Sequence, residues 1–145
     1  EASQPTNVAT MNIFESTTIP VLQEVIGFAQ ARHEVLASNV ANANAPGYAV
    51  RDLSVDTFQQ RLRDAIDVHR KQGSTLSPGE ISKQQDAAMK EVRKTTRGIL
   101  FHDGTDVNME QQVLEMSKNQ YMHNMAITIM GTQFRMLQTA ISERV

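Results

Sequence analysis

The sequence predicts an all-α protein in which long N- and C-terminal heptad helices pack as an antiparallel coiled coil, with a short and partly irregular middle segment. Two observations predict this fold class. Apolar residues recur at alternating three- and four-residue spacing near both ends of the chain, which is the pattern of a heptad seam. Aromatic residues make up only 5% of the 145 residues, so the chain buries aliphatic stripes rather than a large aromatic core.

Composition excludes several functional classes. The formal net charge of −2 gives no reason to expect nucleic acid or an anionic membrane as a partner. The chain has no cysteine, which excludes a disulfide framework and cysteine-ligated zinc. No apolar run approaches the roughly 20 residues of a membrane-spanning helix.

The pattern divides the chain into four segments within one domain. Residues 1–15 are polar and irregular, and we interpret them as a disordered extension or a remnant of cloning. Residues 16–48 hold the first long helix and a Pro-Gly turn, and 49–107 form a middle segment of short helices and loops. Residues 108–145 form the second long helix.

The first helix is predicted to begin near residues 16–18, whose hydroxyl groups can cap it. Pro20 is tolerated in the first turn, where its missing N–H would have no partner in the helix. The seam residues follow the heptad spacing of a coiled coil: Ile19, Leu22, Ile26, Ala29, His33, Leu36 and Val40.

This helix is predicted to stop at an asparagine-rich turn. Asn39 and Asn42 are poor helix formers, because their amides compete for backbone hydrogen bonds. Those amides can bond either to their own backbone or to a neighbouring chain. Pro46 and Gly47 fit the two central positions of a type II turn, in which the glycine takes a positive φ.

The middle segment predicts two shorter helices. Ser54 can cap the first, whose apolar face is Val55, Phe58, Leu62 and Ile66, and Gly73 is a stop signal. Residues 77–80 read as a capping box that opens a second helix, although its polar composition also fits disorder until assembly. Residues 99–101 are predicted to be an extended connection.

The last helix is predicted from Asn108, which forms a capping signature with Gln111, to Ser142. At roughly 1.5 Å per residue it would be about 50 Å long, too long for its seam to be buried in a compact monomer. Further apolar residues lie outside both seams and predict contacts with other chains: Val21, Val25, Phe28, Leu114, Tyr121, Met125, Ile129 and Met136. The predicted seam is Met109, Val113, Met116, Gln120, His123, Ile127, Met130, Phe134, Leu137 and Ile141.

The residues give little support for chemistry. The chain contains no nucleophile elbow, zinc-protease motif, P-loop or dinucleotide fingerprint, so we predict that it is not an enzyme and has no cofactor. His33 and His123 could meet across the seam as a metal or pH-sensing pair, but we favour polar seam residues that set the register. Residues 103–110 superficially suggest a calcium loop, but their order is wrong for one.

The residues 38–42 (Ser-Asn-Val-Ala-Asn), followed by Pro46-Gly47-Tyr48, resemble the N-terminal signature of the flagellar axial proteins, the rod and hook family. Residues 51–53, 101–110, 119–121 and 134–141 are similar to blocks of the proximal rod members of that family. The resemblance implies an assembly interface on both terminal segments: Leu22, Ile26, Leu36, Asn39, Val40, Asn42, Pro46, Gly47, Tyr48, Val113, Met116, Ile127, Met130, Phe134, Leu137 and Ile141.

The resemblance further implies a structural subunit of the periplasmic proximal rod of the bacterial flagellar basal body. Such a subunit would self- and co-assemble through its terminal helices into a helical tube that joins the membrane ring to the distal rod. Its partners would be the other proximal rod proteins, the membrane-ring/rod adaptor and the flagellar type III export apparatus. The alternative is a small helical-bundle adaptor or secretion chaperone, which the residues alone leave open.

Overall fold

The structure is a computed structural model and describes residues 18–72, 78–101 and 109–142. In chain order the elements are α1 (Ile19–Ala41), β1 (Arg51–Leu53), α2 (Val55–Gln72), α3 (Pro78–Thr95), β2 (Ile99–Phe101) and α4 (Met109–Ser142). The predictions for the N-terminal extension, for Gly73 and Ser77, and for the calcium-like segment before Met109 lie outside the described residues. No described helix is both long and apolar enough to cross a membrane.

The helices α1 and α4 pack against each other in antiparallel orientation. The Nδ2 of Asn119 donates to the carbonyl oxygen of Ala29 at 2.7 Å. Farther along α1, Asn39 Nδ2 donates to Gln112 Oε1 at 3.1 Å. Since residue numbers rise along α1 as they fall along α4, the two helices run in opposite directions. The predicted all-α class and antiparallel pairing of the terminal helices are confirmed.

The contact face of α4 agrees with the predicted seam at alternate positions. At the positions between them, the buried residue lies one place earlier in the sequence than predicted. Met116, His123, Met130 and Leu137 are half-buried, as expected of seam residues seven apart. The intervening buried positions, however, are Asn119 and Ala126, at 2% and 4% exposure, and not Gln120 and Ile127. Apolar side chains surround much of α4, so periodicity alone could not select the contact face. Several predicted seam residues are therefore exposed in the subunit: Met109, Val113, Ile127, Phe134 and Ile141.

A second face of α1 packs on the α2–α3 hairpin. Phe28 is fully buried, and its ring stacks on that of Phe58 with centroids 4.0 Å apart and an interplanar angle of 11°. Val92 of α3 completes the contact and is also fully buried. The prediction that Phe28 is left for another chain was wrong, because α2 and α3 fold back over it. Val25, assigned to the same outer surface, packs against this core as well.

In the described part of the middle segment, two short strands form a small sheet. The strands β1 and β2 pair antiparallel, with Arg51 opposite Phe101 and Leu53 opposite Ile99. The extended stretch at 99–101 was predicted, but its pairing with residues 51–53 was not. Strands of three residues are too short to show an alternating pattern, so only long-range pairing reveals them.

Local signals at the helix ends are partly confirmed. The Thr18 side chain makes no capping hydrogen bond to α1, so the predicted hydroxyl cap is wrong for that residue. The Ser54 Oγ accepts from the backbone N–H of Thr57 at 3.2 Å, which confirms the cap of α2. On α2 itself, Ala65 is buried and Ile66 is 39% exposed, so the predicted apolar face includes one wrong residue.

The turn after α1 is confirmed. Gly47 has a φ of 75°, and the Tyr48 N–H donates to the Ala45 carbonyl at 3.2 Å. Together these are the backbone sign and the closing hydrogen bond of the predicted turn. The chain therefore leaves α1 at a fixed angle and enters β1.

Candidate assembly site

Asn39, near the C-terminal end of α1, holds β1 against the two long helices. Its Nδ2 donates to the Arg51 carbonyl at 2.6 Å, and its Oδ1 accepts from the Arg51 N–H at 3.1 Å. The side-chain amide thus pairs with the backbone of β1 much as a neighbouring strand would. Asn39 is 0% exposed, so all of these bonds lie away from bulk water. The sequence left open whether the asparagine amides bond to their own chain or to a neighbouring one. The Asn39 amide bonds to its own chain.

Tyr48 and Arg51 extend this arrangement to the surface of the turn. The Tyr48 hydroxyl donates to Asn39 Oδ1 at 3.1 Å, and Arg51 Nη2 donates to that hydroxyl at 3.2 Å. The Arg51 guanidinium also lies 5.7 Å from the Tyr48 ring centroid, which adds a cation–π contact. The turn is thereby fixed to the end of α1 by side chains from both of its sides.

Arg32 connects three elements through its guanidinium group. Its Nε and Nη2 donate to the two carboxylate oxygens of Asp52 at 2.8 and 2.7 Å, and Nη2 also donates to Glu115 Oε2 at 2.9 Å. A bidentate pair of this kind fixes direction as well as distance. Because only 7% of the Arg32 side chain is exposed, α1, β1 and α4 are tied at one buried point.

The pKa values of Arg32 and Glu115 are shifted by the hydrogen bonds and ion pairs that these side chains make. The pKa of Arg32 lies above its ordinary value, chiefly because of the hydrogen bonds to Asp52 and, next among the favourable contacts, to Glu115. The pKa of Glu115 is lowered by its hydrogen bonds to Lys118 and then Arg32. Both charged forms are therefore stabilised by the folded arrangement.

The exposed sides of α4 carry large apolar residues in two stripes. On the flank that bears Gln120 lie Val113, Ile127 and Phe134, which are 51%, 48% and 46% exposed. Because residues seven apart share a helix face, these residues and Gln120 form a continuous line, which we call the flank stripe. The outer stripe lies on another side of α4 and contains Leu114, Tyr121, Met125, Ile129 and Met136, all exposed as the sequence predicted.

The predicted interface residues fall into two groups in the structure. Leu36 and Asn39 are buried in the subunit and therefore stabilise its own fold. Asn42, Pro46 and Gly47 are exposed at the turn, and Tyr48 is half-buried. The remaining members are half-buried or exposed along the two long helices: Leu22, Ile26, Val40, Val113, Met116, Ile127, Met130, Phe134, Leu137 and Ile141.

Sequence reasoning missed the buried polar residues of the α1–α4 contact. It placed the polar positions of the seam at His33, Gln120 and His123, of which the first two are exposed and His123 is half-buried. Besides Asn39, which the sequence singled out, the buried ones are Arg32 and Asn119, each next in sequence to a predicted position. On α1 the sequence did contain a sign that Arg32 is buried. Arg32 lies four residues after Phe28 and seven before Asn39, so it shares their helix face. On α4 no signal distinguished Asn119 from Gln120.

The described residues contain no group of three or more histidine, aspartate or glutamate side chains placed to hold a metal ion. His33 and His123 both line one cleft between α1 and α4. The geometry places a polar joint, formed by Asn39 and Arg32, beside two exposed apolar stripes, an arrangement that suits assembly with other chains.

Comparison with known proteins agrees with this geometry. A family model described as flagella basal body rod protein matches residues 29–48, which span the Asn39 joint and the turn. No solved structure is significantly similar to the chain.

Three curated relatives are each described as flagellar basal body rod protein FlgB. The protein of Yersinia enterocolitica is 25% identical, covering 83% of this chain and 90% of its own length. The Salmonella typhimurium protein is 26% identical over 78% of this chain and 84% of its own. The Aeromonas hydrophila protein is 28% identical over 82% and 88%.

The helical fold, the turn and these similarities are those expected of a structural component of a flagellum, and the chain is similar to the flagellar basal body rod proteins. These relatives all carry the name FlgB, and together with the family model they indicate a structural subunit of the flagellar basal-body rod. The alternative of an adaptor or secretion chaperone finds no support in the comparisons.

Proposed function

We propose that this subunit has no catalytic activity and that it builds the proximal part of the rod through its two long helices, in a helical tube joining the membrane ring to the distal rod. The observation that carries this proposal is the surface of α4. That helix has 34 residues against 23 in α1, and large apolar side chains remain exposed along its flank and outer stripes. Exposed apolar surface of this extent marks a protein–protein contact.

The geometry of the surface favours an open assembly. The flank and outer stripes lie on different sides of α4, so one subunit can contact two neighbours through unlike surfaces. Unlike surfaces make head-to-tail contacts, and these give a helical filament when the rotation does not close. Methionines in the outer stripe, Met125 and Met136, suit this because their side chains adapt to neighbours that are not identical.

We propose as partners the other proximal rod proteins and the membrane-ring/rod adaptor, with the flagellar type III export apparatus as the route of secretion. The division into an N-terminal extension, an α1 segment with its turn, a middle segment and an α4 segment belongs to the same proposal. In it, the terminal segments form the wall of the tube, and α2 and α3 support α1 from the other side.

The test uses Ile127→Asp, expressed in place of the wild-type gene. Ile127 is 48% exposed in the subunit, so the variant is expected to fold, while a carboxylate buried in a subunit contact costs several kcal/mol. We expect basal bodies without a rod and a loss of swimming. The matched control is Gln60→Asp on the exposed side of α2, which adds the same charge and should swim normally.

Electron microscopy of isolated basal bodies measures the first outcome, and soft-agar swimming the second. Thermal unfolding of both purified variants checks that they fold. A folded Ile127→Asp subunit that still supports normal rods would contradict the assembly role of α4.

A further inference from the structure

The flank stripe contains one polar interruption, which opens into a cleft between α1 and α4. The cleft has a volume of about 350 Å³ and is lined by Ala29, Gln30, His33, Glu34, Asn119, Gln120 and His123. Gln120 lies seven residues after Val113 and seven before Ile127, so it stands in the middle of the apolar line. A helix that covers the flank stripe must therefore pass over the cleft.

The cleft contains polar atoms that the subunit leaves unsatisfied. Asn119 is 2% exposed, and its Oδ1 has no hydrogen-bond partner among the described residues. Its Nδ2 donates to the Ala29 carbonyl, which can only accept, so the amide orientation is fixed with the oxygen left over. The Nε2 of His123 is also buried and has no partner in the described part of the chain. Unmade bonds of this kind are costly unless something supplies them.

The negative charge of Glu34 at the rim of the cleft favours a basic side chain as its occupant. Glu34 is exposed and forms no ion pair with any described residue. Its carboxylate and the Asn119 oxygen are acceptors only, and the His123 Nε2 accepts in one neutral tautomer. Guanidinium and ammonium groups are donors only and carry the complementary charge.

We propose that the cleft receives an arginine or lysine side chain from a helix of the neighbouring rod subunit. This inference rests on the proposed assembly role and adds to it a specific polar anchor within an otherwise apolar contact. The basic group would satisfy Asn119 Oδ1 in the interior and pair with Glu34 at the rim. Apolar residues on either side of it would cover Val113 and Ile127. A buried polar contact of this sort fixes the register between two helices that apolar stripes alone would allow to slide.

The first experiment reverses the charge at the rim with Glu34→Arg, in a strain that lacks the wild-type gene. We expect at least about a tenfold loss of assembled rods, because two like charges would face each other in a contact. The control is Asp64→Arg, an exposed residue of α2 that makes the same change in net charge outside the cleft. Thermal unfolding of the two purified variants should give similar midpoints.

The second experiment identifies the occupant. A photocrosslinking amino acid at Gln120, in cells that assemble flagella, is expected to join this chain to a rod subunit within a few residues of an arginine or lysine. Reversing the charge of that basic residue should then restore swimming to the Glu34→Arg strain. Normal swimming by Glu34→Arg, or a crosslink with no basic residue nearby, would overturn the proposal.

The two proposals fail in different ways. If deletion of the gene leaves rods intact, the assembly role itself is wrong. If deletion abolishes rods and Glu34→Arg restores them as well as the wild-type gene does, only the cleft proposal is wrong.

Discussion

At the scale of residues, buried polar side chains that each make several hydrogen bonds hold the elements of the subunit together. Asn39 uses both amide hydrogens and accepts two bonds on its oxygen, and it fixes α1 to β1 and to α4. Arg32 does the same with its guanidinium and two carboxylates. Such groups specify one arrangement, because any slip of the helices would leave them unpaired in a region without water.

Replacing Asn39 tests this directly. Asn39→Leu keeps the side-chain size but leaves the Arg51 backbone N–H and carbonyl without their partner. We expect the free energy of unfolding to fall by about 2 kcal/mol, as measured by chemical denaturation. The control Asn42→Leu removes an exposed amide that donates to the Ser38 carbonyl, and it should cost about 0.5 kcal/mol or less. Equal losses of unfolding free energy in the two variants would show that the buried hydrogen bonds of Asn39 contribute no more than the exposed one of Asn42.

The pairing of Glu115 predicts a pH dependence. Its pKa in the folded state lies below the ordinary value of 4.5, through the hydrogen bonds to Lys118 and Arg32. A lowered carboxyl pKa stabilises the fold above the unfolded-state pKa, and this contribution disappears as pH falls through the folded-state pKa. We expect the unfolding free energy of the wild type to decrease between about pH 5 and pH 3 more steeply than that of Glu115→Gln. Parallel curves would argue against the pairing.

At the scale of elements, α4 combines two tasks on different faces. The side bearing Asn119 and Ala126 is buried against α1, while the flank and outer stripes remain open in the subunit. Gly131 lies in the interior of this helix, and a Cβ added there would meet nothing within 4 Å. The subunit therefore gives no packing reason for a glycine that weakens the helix.

The substitution Gly131→Ala distinguishes the contribution of α4 to the stability of the subunit from its contribution to assembly. We expect the free subunit to become more stable by up to about 1 kcal/mol, because alanine is the better helix former. If a neighbour's backbone approaches Gly131 closely in the rod, cells that carry the same variant should swim less well. Gly27→Ala is the control, since its added Cβ also meets nothing within 4 Å and the glycine lies in the interior of α1. Normal swimming by both variants would remove the close-approach interpretation.

At the scale of the whole molecule, the contacts are concentrated in one half of α4. The described bonds between α1 and α4 involve residues from Gln112 to Asn119, and the last buried side chain of α4 is Ala126. Beyond it, Phe134 and Ile141 are 46% and 68% exposed. Stability is expected to fall along the helix in the same direction.

Hydrogen exchange on the free subunit should show this gradient. We expect slow exchange for backbone amides from Gln112 to Ala126 and much faster exchange beyond Met130, because few buried contacts protect that part of the helix. In assembled rods both regions should exchange slowly. Uniform protection along α4 in the free subunit would contradict the view that its C-terminal half is completed by neighbours.

The sequence by itself determined the helical class, the two long terminal helices, the turn at Pro46-Gly47 and the cap at Ser54. These features depend on local chemistry: helix periodicity, a glycine with positive φ, and a hydroxyl that accepts a nearby N–H. It also identified the exposed residues of the outer stripe on α4, which lie outside the predicted heptad seam.

Only the tertiary structure decided which apolar face α1 and α4 share and which residues the shorter helices cover. A helix with apolar residues on several sides has several candidate seams, and the choice between Asn119 and Gln120 depends on a carbonyl 90 residues away, that of Ala29. The burial of Phe28, the pairing of β1 with β2 and the Arg32 joint are also long-range. They depend on how β1, α2, α3 and α4 fold against α1, which no local pattern encodes.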